Sequence, residues 1–359
     1  MFTSLEITNF RAFQSLKIDG LRRVNIFGGK NSVGKTCVLE ACELLLAPES
    51  LRPAHQNIRR GLMVLPSIAT GDKPAVDLPW NLLFHNSKNE TPARIEGSWG
   101  GRQLKTELGI RFPLNESNQT VLLARQSPAV VLSLQQWNQA GRILRIKSTL
   151  AADSAEALVY PAADGSWNWS YNLPPYSLVV CNWTQSQDAS SLLSPEDQFG
   201  IVLSEGREAT LVSCLKNLLP DLQQLITISK NNRPVLHAAF GDGRRLPVSI
   251  LGDGVVRVLH ILLAGLAQPG GAWLIDEIEF GIHYSVLPEV WSTIIETAKT
   301  MNKQIFCTTH SQEMVTAALN AGGDDVQYFR IDARKDGHHV VAYERDVAEM
   351  TLKMGMDFR

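Results

Sequence analysis

No run in this 359-residue chain reaches the ~18 consecutive apolar residues of a membrane span. No charged segment followed by an apolar one opens it either, so the expected compartment is the cytoplasm, without a membrane partner. Neither sign of charge dominates. Thirty-four basic residues stand against 36 acidic ones, a formal net charge of −2, which removes a sequence-wide basic excess as an argument for an obligatory nucleic-acid partner. Basic spots such as Arg59-Arg60 and Arg244-Arg245 leave nucleic acid open, although a charge pair of this kind is usually a solvated turn. Cysteine is scarce: Cys37, Cys42, Cys181, Cys214 and Cys307 form no C-x-x-C pair, and three of them sit in apolar runs, so they read as reduced, buried thiols. No internal repeat, low-complexity tract or sustained heptad is present, which argues against a long coiled coil. A chain of this length, 44% hydrophobic, can build one large core or a core with an inserted subdomain.

The most informative stretch is Val24 to Leu46. Gly29-Lys30-Asn31-Ser32-Val33-Gly34-Lys35-Thr36 matches G-x-x-x-x-G-K-[ST] at every fixed position. It follows a short apolar run (Val24, Ile26, Phe27) and precedes a helical pattern (Val38, Leu39, Ala41, Cys42, Leu45, Leu46), giving a strand, a loop and a helix. With Gly at about 7% and ordinary Lys and Ser/Thr usage, a chance match has odds of roughly one in a hundred. The chemistry is that of a triphosphate cradle: glycines let the backbone approach, and a helix N-terminus favours anions. Gly29, Asn31, Ser32, Val33 and Gly34 line the loop and Cys37 follows in the first helical turn; Lys35 is placed to bridge the β and γ phosphates of ATP and Thr36 to hold Mg²⁺.

The remaining pattern is α/β. Residues 3 to 10 alternate, and Leu16, Ile18 and Leu21 follow, giving two short strands before the P-loop strand. The first helix stops before Pro48. A loop with short helical pieces is expected from Leu51 to Asp77. Alternating segments at Arg94 to Ser98, Leu104 to Arg111, Val121 to Ala124, Ile143 to Ser148 and Ser166 to Tyr171 predict an antiparallel sheet, and Tyr176 to Asn182 a strand returning to the main sheet. Residues 195 to 219 form a short helical arm ended by Pro220, and Leu225 to Ser229 with Val235 to Phe240 a hairpin pair. A βαβ rhythm closes the chain: helix Val255 to Ala267, strand Ala272 to Ile275, helix His283 to Met301, strand Gln304 to Thr308, helix Gln312 to Ala321, two strands and a charged helix-like end. The expected parts are 1–92, an N-terminal section with the P-loop; 93–175, the β insertion; 176–247, returning strand, arm and hairpin; and 248–359, the C-terminal section.

Three further constellations carry chemistry. Ala272 to Ile275 is an apolar strand ending in Asp276-Glu277, and open α/β sheets bind ligands at strand C-termini. Asp276 would support Mg²⁺ and Glu277 would polarise the attacking water; the alternative is a strand end with solvated acids. Thr308-Thr309-His310-Ser311 follows another apolar strand, and His310 can report on the γ phosphate or be an ordinary loop histidine. Gly252-Asp253-Gly254 opens an almost wholly apolar helix, exposing N–H groups to an anion or forming a capped turn with Asp253 near the cap.

This order resembles the ABC-type ATPase heads of the SMC, RecF and OLD (overcoming lysogenization defect) group, and more closely the small AAA-labelled bacterial and archaeal ATPases related to OLD proteins and to phage-defence systems. The resemblance covers nearly the whole chain. It is carried by Leu5 to Phe13, Gly29 to Thr36, Leu83 to His85, Leu251 to Arg257, Leu274 to Tyr284 and Phe306 to Ser311. It implies a P-loop NTPase fold with a mixed central sheet, an antiparallel β insertion and a short helical arm. It also implies a homodimer in which the signature turn at Gly252 to Gly254 closes over the partner's ATP. Leu251 stands where many signatures have serine, which removes a hydroxyl from the γ phosphate and favours weak or partner-dependent hydrolysis. Glu277 to His283 lacks the proline of transporter heads, which argues against a transporter subunit. Arg11 resembles a nucleotide-proximal position of SMC-like heads; His85 either approaches the site or is structural; Gln56, Gln103 and Gln126 compete for the Q-loop role. OLD nucleases carry a Toprim domain that this sequence does not show, so the expected output is a separate effector, such as a Toprim-type nuclease. A nucleotide-switched scaffold and a RecF-like DNA-repair clamp are the alternatives.

Overall fold

A computed structural model describes residues 1–47, 79–111, 143–150, 153–161, 167–172, 181–184, 194–230, 233–343 and 347. The alternation at the N-terminus folds as a hairpin, β1 (Phe2–Phe10) against β2 (Phe13–Asp19), with Leu5, Ile7, Leu16 and Ile18 buried on one face. The P-loop strand β3 (Val24–Gly28) and helix α1 (Lys35–Leu46) follow. Next come β4 (Ala93–Trp99), β5 (Arg102–Arg111), β6 (Ile143–Leu150), β7 (Asp153–Pro161) and β8 (Trp167–Asn172). They extend the N-terminal hairpin into one seven-stranded antiparallel sheet of order β2-β1-β4-β5-β6-β7-β8. The strands read as an insertion therefore pair directly with β1.

Strand β9 (Cys181–Thr184) leads to helices α2 (Pro195–Ser204) and α3 (Glu208–Lys216). A three-stranded antiparallel sheet follows, β10 (Leu222–Lys230), β11 (Arg233–Phe240) and β12 (Arg245–Pro247). The closing rhythm is α4 (Asp253–Ala267), β13 (Ala272–Ile275), α5 (Leu287–Thr300), β14 (Gln304–Thr308), α6 (Gln312–Gly322), β15 (Val326–Arg334) and β16 (Gly337–Tyr343). The central sheet has the order β16-β15-β3-β14-β13-β9; its five inner and far strands run parallel and β16 runs antiparallel to β15.

Both faces of this sheet are covered, which is why β3, β13 and β14 read as continuous apolar runs. Phe27, Leu274, Phe306, Phe329 and Ile331 face α1 and the antiparallel sheet beyond it. Val24, Ile26, Trp273, Ile275, Ile305 and Tyr328 face the opposite core, built with α2 to α6. Helix α1 is thus held between two sheets, and Val38 to Leu46 are all buried.

Several expectations shift. The helix expected at 195–219 is two: the chain turns at Arg207, whose backbone N–H donates to Val202 O at 2.9 Å while its guanidinium holds Leu266 O at the end of α4. Phe199, Val202, Leu211 and Leu215 pack into the second core, so the short helical arm lies folded against α4. The helix expected from His283 starts at Leu287, after a 3-10 turn at Tyr284–Val286 capped by the His283 ring. The returning strand is described only from Cys181, past most of the expected Tyr176 to Asn182. Strand β7 has no counterpart in the sequence reading, because Ala155 and Ala157 are poor strand formers and pairing with β6 and β8 overrides them. Residues 51–77, Val121 to Ala124 and the charged end fall outside the described residues. Cys42, Cys214 and Cys307 are buried free thiols, as expected, and Cys37 is half-buried. Among the described residues no helix is long and apolar enough to cross a membrane.

The seam between the two sheets depends on Gln304. Its fully buried side chain accepts from Phe2 N–H at 2.6 Å and donates to Phe2 O at 2.9 Å and Arg22 O at 2.7 Å. Gln304→Leu keeps the bulk and strands those backbone groups, so it is expected to destabilise the protein by about 2–4 kcal/mol, read as a lowered urea midpoint; an unchanged midpoint would show that water replaces the amide.

Candidate functional site

Strand β3 delivers the chain to the loop and α1 takes it away at Lys35. Gly34 lies at φ +95, and a Cβ there would come within 2.7 Å of the Phe13 ring and 2.9 Å of Ala12 Cβ. The β1–β2 turn therefore closes one side of the loop, and no larger residue fits. Val33 is buried in the first core, and Cys37 packs at its margin, while Lys30, Asn31 and Ser32 are exposed at the rim. No side chain caps α1 and its first turn carries no acid, so its leading N–H groups are open to an anion. Lys35 is buried, and its ammonium donates to Gly29 O at 3.0 Å and Lys30 O at 2.8 Å. Burial pulls the Lys35 pKa down to about 8, against the opposing charges of Glu279, Asp276 and Glu277.

The end of β13 meets the start of α1 through Asp276. Its carboxylate accepts the Thr36 hydroxyl, with both oxygens 3.1 Å away, and the Thr308 hydroxyl at 2.6 Å. Thr308, the last residue of β14, in turn accepts the Glu277 N–H at 2.8 Å. Glu277 sits at φ +49, a left-handed conformation that a residue other than glycine adopts at some cost and that this bond helps to hold. A threonine hydroxyl and a carboxylate held side by side are hard oxygen donors, the set that suits Mg²⁺ together with phosphate oxygens.

After β14, the His310 Nδ1 stands 3.5 Å from the Lys35 ammonium. Burial and then the Lys35 charge hold the His310 pKa below its usual value, so the ring is neutral near pH 7. With Nδ1 facing a donor, Nε2 carries the proton, ready to donate. The His310 backbone N–H donates to Glu279 Oε1 at 2.6 Å.

The turn at Gly252 to Gly254 opens α4 without a side-chain cap, and Asp253 lies in its first turn. A Cβ on Gly254 would fall 2.5 Å from Gly281 O, so this turn packs directly on the chain that follows Glu277. From the same helix, buried Arg257 donates to Asp276 O at 2.7 Å and Glu277 O at 3.3 Å. Burial lowers its pKa to about 10 in spite of Asp276, Glu277 and Glu279.

The structure thus brings Gly29 to Thr36, Asp276, Glu277 and His310 to one place and ties the Gly252 turn to it. Arg11 behaves differently: its guanidinium is forked on Glu40, at 2.8 and 3.2 Å, one turn along α1 from Thr36, and so reaches the periphery already neutralised by a buried acid. His85 is structural, its Nδ1 3.3 Å from Arg11 O at the β1–β2 turn. Gln103 is exposed on β5, and Gln56 and Gln126 fall outside the described residues. Thr308, Arg257 and Glu279 were not singled out from the sequence as site residues; the one signal for Thr308 and Glu279 was their place beside His310 and Glu277.

A family described as "AAA domain, putative AbiEii toxin, Type IV TA system" matches residues 24–316, more than half of the chain. The chain is 26% identical over 348 residues to an ATP/GTP phosphatase of Helicobacter pylori, covering 88% of this chain and 86% of that protein. A shorter match, 42% over 54 residues and 15% of each chain, is to the DNA replication and repair protein RecF of Lactococcus lactis. Among solved structures it is similar to the Smc head domain with an extended coiled coil from Pyrococcus furiosus, at TM-score 0.52 and 12% identity over 98% of each chain, a likeness of fold. The P-loop, the carboxylates at the end of β13 and the histidine after β14 all lie within the matched residues, and the chain belongs to this AAA-domain family, with the P-loop fold of ABC-type ATPase heads.

Proposed function

We propose that the chain binds ATP with Mg²⁺, hydrolyses it to ADP and phosphate, and pairs with a second copy of itself around the nucleotide. The observation that carries the reading is the Thr36–Asp276–Thr308–Glu277 chain of hydrogen bonds, which joins the phosphate loop to the residue placed to orient water. Thr36 and Asp276 would hold the metal, which when bound neutralises charge on the phosphate oxygens. Lys35 leaves the Gly29 and Lys30 carbonyls to bind the β and γ phosphates. Glu277 holds water in line and accepts its proton, and His310 donates to the γ phosphate. Positioning and charge neutralisation supply most of the rate in such a site.

Pairing is supported by exposed apolar side chains beside the signature turn. Ile250 is 65% exposed, Phe280 44% and Tyr284 68%, and contact between Gly254 and Gly281 makes their segments neighbours. A monomer gains nothing from leaving them in water. The second reading, a nucleotide switch with little turnover, is favoured by Leu251, which packs against the second core and offers no hydroxyl to the nucleotide. Output through a separate effector, in phage defence or DNA maintenance, accords with the solved Smc head carrying a domain of another protein, ScpA.

Phosphate release under excess ATP or GTP separates the readings. Lys35→Ala should abolish nucleotide binding, and Glu277→Gln should keep binding while slowing turnover by ~10²-fold; equal turnover in Glu277→Gln would move the base elsewhere. With Mg-ATP, Glu277→Gln should sediment as a dimer, weakened by a bulky residue at Gly252, whereas a monomer at high concentration would remove the paired site. Because Lys35 titrates at about 8 when no phosphate faces it, and phosphates raise that value, binding takes up a proton above pH 8. Affinity should therefore be level below pH 8 and fall by up to about tenfold per pH unit above it, measured at fixed free Mg²⁺. Lys35→Arg, if it binds, should lose that dependence.

A further inference from the structure

The segments that follow β13 and β14 are joined by more than Thr308. Ile278 N–H donates to Thr308 O at 3.0 Å, which sets their register. The next bond is of another kind, from the His310 backbone N–H to the Glu279 carboxylate at 2.6 Å. A charge-assisted bond of this type is about twice as strong as a neutral one, and it grips the residue whose ring faces Lys35. Among the described residues Glu279 Oε2 has no hydrogen-bond donor, although it is shielded from water.

We propose that Glu279 is a positioning residue for His310, holding its backbone N–H so that the imidazole meets the γ phosphate. The bond is short and directional and joins two different segments, so it adds to the Thr308 bonds a restraint on where the His310 peptide stands. Among the described residues, loss of the bond leaves the His310 peptide without a partner of its own, between Thr309, whose backbone N–H donates to Phe27 O at 3.1 Å, and α6. The ring can then swing on the Thr309-His310 backbone, and a misplacement of about 1 Å costs on the order of 10²-fold. This inference rests on the ATPase reading above.

The test is a double-mutant cycle on the full chain, with kcat and KM measured separately. Glu279→Ala should lower kcat by about 10- to 100-fold with little change in KM. Glu279→Gln, whose amide oxygen accepts the same bond, should stay within about threefold of wild type. In a His310→Ala background, Glu279→Ala should cost almost nothing more, because the two act as one unit. Glu279→Met, with the same reach and no acceptor oxygen, replaces Glu279→Ala if that variant does not fold. Wild-type kcat in Glu279→Ala or Glu279→Met, a Gln variant as slow as they are, or multiplying costs in the double mutant would overturn the proposal while leaving the ATPase reading intact. A wild-type chain that turns over no nucleotide would overturn both.

Discussion

A single buried carboxylate holds the site together. Asp276 is 8% exposed, accepts hydroxyls from α1 and β14 at once, and has its own backbone carbonyl bound by Arg257 of α4. An acid taken from water costs several kcal/mol unless it is paired and fully hydrogen-bonded. Here hydroxyl donors and the charges of Lys35 and Arg257 offset that cost, and the arrangement holds only while all the contributing elements stay in register. Three elements far apart in the chain are thereby committed to one geometry.

The layers explain how that geometry stays rigid. Helix α1 lies between the central sheet and the antiparallel sheet, so it cannot tilt without disturbing both. The β1–β2 turn presses Ala12 and Phe13 onto Gly34, and the fork of Arg11 on Glu40 ties that turn to α1 from the other side. Breaking a buried pair by removing one partner costs more than the pair contributes. Arg11 is therefore best understood as the fastening between the N-terminal hairpin and the phosphate loop. The same turn carries the His85 contact, which fixes the Arg11 carbonyl.

The Gly252 turn is coupled to the end of β13 by short paths. Gly254 touches Gly281, and Arg257, one turn further along α4, grips the carbonyls at the end of β13. Any force on the turn from a second copy would act on the peptide that presents Glu277. That peptide already sits in a left-handed conformation held by Thr308, which makes it a sensitive place for such a force to be felt.

Much of this was legible in the residues themselves. The loop at Gly29 to Thr36 could be read because its chemistry is local: backbone N–H groups, a helix start and a lysine occupy neighbouring positions. The strands Ala272 to Ile275 and Gln304 to Thr308 could be read because burial on both faces demands unbroken apolar runs, and the acids and histidine at their ends followed from chain order. What the chain order could not carry was pairing across distance. The joining of β4 to β1, the Ala-rich strand β7, the fork of Arg11 on Glu40 and the bonds from Thr308 and Glu279 each join residues whose separation in sequence conveys no signal. A threonine at a strand end and a second glutamate beside a first look like ordinary solvent-facing side chains until the sheet lays the two strand ends side by side. Local backbone chemistry was thus determined by sequence alone, whereas the partner of every long-range hydrogen bond was decided only when the layers packed, because a donor and an acceptor acquire a partner only when the fold brings them within about 3 Å.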